Sequence, residues 1–207
     1  MHHFGYDLTN LGDTGGDGLD DLVIGYFLGD LMTNGRPGEW GNYILEGRRD
    51  HGYSFDQLLE VDAVSTIWDF HANRWLGDVN GDGYDDMVSL LMTQDEEWRD
   101  VAITAPPNYL DVRHGGPSGL SMVPNVSIHQ PVPVSDRGSW ELYRYGGVGD
   151  VNGDGYNDLA VMDRLELDLY YGSEDGISKT SSFSTALEKP ADAERRWDWY
   201  NFPQLEH

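Results

Sequence analysis

Three short stretches hold acids at a spacing that could do chemistry. The first runs Leu11-Gly-Asp-Thr-Gly-Gly-Asp-Gly-Leu-Asp-Asp-Leu-Val23. The second runs Leu76-Gly-Asp-Val-Asn-Gly-Asp-Gly-Tyr-Asp-Asp-Met-Val88, and the third Val148-Gly-Asp-Val-Asn-Gly-Asp-Gly-Tyr-Asn-Asp-Leu-Ala160. Position one of each is Asp13, Asp78 or Asp150, so the copies stand 65 and 72 residues apart. In the second copy, oxygen-bearing side chains fall at Asp78, Asn80, Asp82 and Asp86. The third matches with Asp150, Asn152, Asp154 and Asp158. Alternate residues at the start of a tight loop can point inward around one centre. The carbonyls of Tyr84 and Tyr156 can add a further oxygen. Hard oxygen donors in a flexible loop select Ca2+ over zinc or copper, and magnesium demands a stricter octahedron.

The first copy is depleted. Gly15 stands at position three, which leaves Asp13, Asp17 and Asp21 as side-chain ligands, with Leu19 at the carbonyl position. It is expected to be the weakest site. An EF-hand is rejected because it needs a bidentate acid at loop position twelve. That position is Ile24, Ser89 or Val161 here, and the acid falls at position nine. The bland alternative is a set of Asp/Gly-rich turns that hold no ion.

Short strands must position these loops. A strand is expected before each one, over Phe4 to Leu8, Thr66 to Trp75 and Ser139 to Tyr145. A second follows each loop. A third ends in glycine: Tyr43 to Gly47, Leu110 to Gly115 and Leu167 to Gly172. Turns such as Pro117-Ser118-Gly119-Leu120 and Glu174-Asp175-Gly176-Ile177 lead into a fourth. Four antiparallel strands per repeat make a β-propeller blade, so the chain reads as all-β.

Gly-Asp-x-Asn-Gly-Asp-Gly-x-x-Asp followed by an apolar strand resembles the FG-GAP (or VCBS) repeat family, and Phe4-Gly5 matches the family's name. The resemblance covers essentially the whole chain. It implies an integrin α-subunit-like propeller with structural calcium in the loop joining strands one and two of each blade. The ligand pattern carries over onto the second and third loops in full, and onto the first without position three. The expected blades span about 4–62, 63–135 and 136–187, within a single region over 1–207. Residues 188–207 would begin a further blade or close the ring, because Arg196 to Leu205 resembles the strand from Thr66 to Leu76. Propellers of this family usually have six to eight blades. The chain is therefore expected to be a fragment, or else a homo-oligomer whose copies complete a ring.

The stretch from loop position one to the third-strand glycine is 34 and 37 residues in the first two repeats and 22 in the third. The extra residues, about Gly29 to Gly41 and Thr93 to Asn108, should emerge at the end opposite the acidic loops. Trp40, Trp98, Arg36 and Arg99 in these inserts are candidates for holding a glycan or protein. The alternative is that the tryptophans only pin the loops. Trp68, Trp75, Trp140, Trp197 and Trp199 are expected to pack between blades. The histidines, His51, His71, His114 and His129 among them, show no ligand spacing. No nucleophile elbow, phosphate loop or zinc motif is present.

Composition sets the outer limits. The chain has 207 residues, with 37 acidic against 13 basic, a formal charge of −24. That charge argues against nucleic acid and against anionic membrane surfaces. There is no cysteine, so thiolate metal sites and disulfides are excluded. The longest apolar stretch, Leu22 to Leu28, is too short for membrane insertion. Met1-His2-His3 and Leu205-Glu206-His207 read as tag remnants. Loops of this kind bind calcium at about 10⁻⁴–10⁻³ M in extracellular modules. The expected location is therefore extracellular, cell-surface or periplasmic. The expected function is binding or adhesion to an extracellular protein or glycan, with no catalytic residues assigned. The alternative is a carbohydrate-active enzyme, a polysaccharide lyase or hydrolase, or its sugar-binding module.

Overall fold

The computed structural model describes residues 2–28, 39–49, 59–61, 73–92, 108–130, 143–163 and 166–187. These residues form twelve strands and no helix, in three four-stranded antiparallel sheets. The first sheet is β1 (His2–Gly12), β2 (Asp21–Leu28), β3 (Glu39–Leu45) and β4 (Leu59–Val61). The second is β5 (Asn73–Gly77), β6 (Asp86–Met92), β7 (Asn108–Arg113) and β8 (Val126–Gln130). The third is β9 (Tyr143–Gly149), β10 (Asp158–Asp163), β11 (Glu166–Tyr170) and β12 (Phe183–Ala186). Strand order follows chain order in each, so every sheet is a simple meander. The all-β expectation and the four antiparallel strands per repeat stand. Among the described residues no helix is long and apolar enough to cross a membrane.

The alternation in each strand explains how the sheets stack. In β6, Val88 and Leu90 face the third sheet and join Leu159, Val161 and Tyr170 in one core. Met87 points the other way and packs with Leu11, Val23 and Ile44 of the first sheet. Successive residues of a strand face opposite sides, so one strand feeds two cores. Each fully buried aliphatic side chain contributes about 1.5–3 kcal/mol. Leu120 and Ile177, one residue past the turn glycines Gly119 and Gly176, are buried too and tuck each third-to-fourth-strand turn back into these cores.

The sheets meet through their first strands, with β5 lying between β1 and β9. The approach is close at Gly147, where a Cβ would lie 2.7 Å from the Leu76 carbonyl oxygen. Any larger residue there would push β9 off β5. Arg74 reaches over the Tyr145 ring at 5.8 Å across the same seam.

Candidate functional site

All three acidic loops connect strand one to strand two of their sheets, at the same end of the molecule. Each is shaped by its own position-one carboxylate. Asp78 Oδ1 accepts from the amides of Gly81 (2.6 Å) and Asp82 (3.2 Å), and Oδ2 from Gly83 (2.8 Å). Asp150 does the same for Gly153, Asp154 and Gly155. Those amides, Gly155 foremost, hold the exposed Asp150 carboxyl below its ordinary range. In the first loop Asp13 accepts from Asp17 and Gly18. Position five repeats the device one turn on: Asp17, Asp82 and Asp154 accept from the amides of Leu19, Tyr84 and Tyr156. Asn80 Nδ2 donates to Asp82 Oδ2 (2.9 Å), and Asn152 Nδ2 to Asp154 Oδ2 (2.8 Å). Gly15 leaves the first loop without that link.

Position nine is different, because it is buried. Asp86 and Asp158 are 0% exposed. Asp86 accepts from the Val79 amide (2.8 Å) and the Gly115 amide (2.9 Å), which ties the loop to the end of the third strand. Asp158 accepts likewise from Val151 and Gly172. Burial pushes the Asp86 carboxyl up to about 7, against the lowering by those two amides, and the nearby charges of Asp82 and Asp78 add to the rise. Asp21 is also raised, by burial first. It has one more donor, the Thr14 hydroxyl, which bonds Asp21 Oδ2 directly. The other loops carry Val79 and Val151 at that place.

As the loops stand, no three acidic or imidazole side chains among the described residues converge on one ion. The carboxylates are turned onto loop amides instead. The donor set still suits a hard cation: it is all oxygen, rich in acids, and one acid is buried with only amide partners. Asp78, Asn80, Asp82, Asp86 and the Tyr84 carbonyl would hold an ion in the second loop. Asp150, Asn152, Asp154, Asp158 and the Tyr156 carbonyl would do so in the third.

The structure adds residues that spacing did not disclose. His114, just before Gly115, lies with Nδ1 3.4 Å from Asn80 Nδ2. Burial lowers its pKa, while Asp82 and Asp78 pull the other way. Asp85, at position eight, accepts from the Asp13 amide of the preceding loop at 2.9 Å. The Trp75 side chain bonds the same carboxylate. Trp75 was expected to pack between blades, but it is 42% exposed and works as a polar clamp. A Cβ at Gly12 would overlap the Asp85 side chain, so glycine before position one is what lets the next loop in.

Of the insert candidates, Trp40 lies within β3, where it pairs with Phe27, rather than in a connecting loop. Arg36, Trp98 and Arg99 lie outside the described residues, as do Trp68, Trp140, Trp197 and Trp199 and the strand expected after residue 188.

No family model matches the chain. Its sequence is 31% identical over 177 residues to integrin alpha-PS2 of Drosophila melanogaster, a match that takes in 77% of this chain and 11% of that protein. The crystal structure of the rhamnogalacturonan lyase YesW superposes with a TM-score of 0.55 at 16% identity, covering 93% of this chain and 36% of that one. The second likeness speaks for the β-sheet fold alone. The first makes this chain a distant relative of an integrin α chain, of which it spans a small part.

Proposed function

We propose that this chain is a calcium-binding β-propeller region of the FG-GAP type that serves extracellular binding or adhesion. The observation that supports it most is the position-nine carboxylate. Asp86 and Asp158 are fully buried with only amide partners, beneath loops that carry further acids at positions one and five. Bringing such a group into low dielectric is costly unless a positive charge compensates. Bound calcium would neutralise the acids of each loop and fix the turn between strands one and two. The relationship to an integrin α chain supports a surface or extracellular location and an adhesion role; a protein or glycan partner is part of the proposal. A partner bound at the strand two-to-three end, opposite the loops, fits that reading. The likeness to a polysaccharide lyase is one of fold and is not carried over to activity.

Thermal unfolding with and without calcium tests the proposal. Ligand that binds only the folded state stabilises by about 2.7 kcal/mol at one hundred times its Kd. We expect Tm to rise by several degrees when calcium is added to chelated protein. An unchanged Tm up to millimolar calcium would sink the metal reading.

A further inference from the structure

The junction between neighbouring sheets is built twice from the same parts. Across the first, the Asp85 amide donates to the Asp13 carbonyl (3.0 Å), and the Gly116 amide donates to the Thr14 carbonyl (2.9 Å). Across the second, the Asn157 amide donates to the Asp78 carbonyl (3.0 Å), and the Ser173 amide to the Val79 carbonyl (3.0 Å). The position-seven ring of the later loop lies on the position-four glycine of the earlier one, Tyr84 on Gly16 and Tyr156 on Gly81. Each junction therefore has a receiving half, on the earlier loop, and a donating half, on the later.

Both halves recur without a partner among the described residues. Leu11, Thr14, Leu76 and Val79 are 0% exposed under their junctions. Their counterparts in the third repeat, Val148 and Val151, are 44% and 50% exposed. Nothing lies within 4 Å of where a Cβ would sit at Gly149 or Gly153. Met162 and Leu169, on the outward face of the third sheet, are half-buried, whereas Leu90 and Val112 at the same places in the second sheet are buried. That is the receiving half. The donating half stands on the first loop, where Leu19 and Asp20 hold positions seven and eight and meet no other acidic loop among the described residues. Asp20 is already aimed: Asn10 Nδ2 donates to it at 2.9 Å, from the strand position that Trp75 uses to hold Asp85.

We propose that a second copy of this chain docks head to tail on the open edge of the third sheet, its Asp20 bonding to the backbone of Asp150 and its Leu19 lying on Gly153. This continues the register of the two internal junctions, and both complementary halves are on one chain, which is the condition for a heterologous contact. The proposal rests on the propeller reading above.

Two surface variants test it. Val151→Arg blocks the receiving edge and Asp20→Arg the donating edge, and neither is a calcium ligand. Mass is measured by light scattering in millimolar calcium, because a charge of −24 opposes association. The parent should run as two or more copies at micromolar concentration. Each variant alone should be a monomer, and an equal mixture should recover a two-copy species through the one junction left intact. A monomeric parent, variants that still associate, or a mixture that stays monomeric would overturn the docking. The calcium-induced rise in Tm, read on the same samples, separates the two ideas. If it persists in a monomeric parent, docking fails and the metal reading stands. If it is absent, the metal reading fails by itself.

Discussion

The first and second acidic loops share one backbone plan and solve one problem in two ways. Both place a position-nine carboxylate under the loop and tie it to an amide at the end of strand three, Gly47 for Asp21 and Gly115 for Asp86. The second loop surrounds its buried acid with Val79, Asn80 and two further acids. The first replaces valine by Thr14, whose hydroxyl bonds Asp21, and gives up the position-three amide at Gly15. It also has a cationic side chain at hand: Arg49 Nη2 donates to the Asp17 carbonyl at 2.8 Å. In the first loop the protein's own groups do more of the stabilising. In the second, on the proposed reading, calcium from solution would supply the balance.

The largest test of that contrast is removal of the buried acid. Asp86→Ala leaves the Val79 and Gly115 amides without partners and removes a proposed calcium ligand. In calcium it should cost about 3 kcal/mol, the lower end for breaking a buried charge pair. In chelator the cost should be clearly smaller, because the penalty of burying the carboxylate goes with it. Asp21→Ala should cost the same in both buffers, since its partners belong to the protein. Equal calcium dependence for the two variants, read from denaturant unfolding, would erase the distinction between the loops.

Exchanging the position-two residues gives a smaller effect. Thr14→Val removes a buried hydroxyl donor and should cost about 1–2 kcal/mol with or without calcium. Val79→Thr should stabilise the calcium-free protein and shrink the calcium-induced change in Tm. If Val79→Thr leaves that change as large as before, the hydroxyl is not what sets the first loop apart.

A third test of the contrast comes from pH. The Asp86 carboxyl titrates near 7 in the folded protein against an ordinary 3.8. Below 3.8 it is protonated folded or unfolded and costs nothing. As pH rises towards 7 the unfolded chain ionises first, so this group removes stability, and the loss is complete above about 7. Calcium should offset that loss, so its effect on Tm should be larger at pH 7.5 than at pH 5. Asp86→Asn should flatten the difference. A calcium effect that is constant across this range would show that the buried acid is not the group calcium satisfies.

Much of this was legible in the residues. Asp-Gly spacing and period-two strands located the loops and the four-strand sheets, because both are local patterns that one repeat confirms in the next. What escaped were contacts between repeats. Position eight, Asp20, Asp85 or Asn157, looks like spacer in a single loop, and only the packing of neighbouring sheets brings Asp85 onto the Asp13 amide. Trp75 read as core because it is large and apolar. Its indole is spent instead on that same carboxylate at a half-open seam. His114 gave no metal spacing because its link to Asn80 runs across 34 residues of chain. The inserts were picked by their length and Trp40, Trp98, Arg36 and Arg99 by their fitness to hold a glycan or protein, and of these only Trp40 falls among the described residues, within a strand.

The way position eight reaches back to position one has an architectural meaning. Among the described residues, the bonds of that seam are supplied by two adjacent repeats. A repeat of this kind is a countable part: taking one out or putting one in leaves each remaining seam with both of its sides. Length, in such a molecule, can change by whole units without redesign of any single contact.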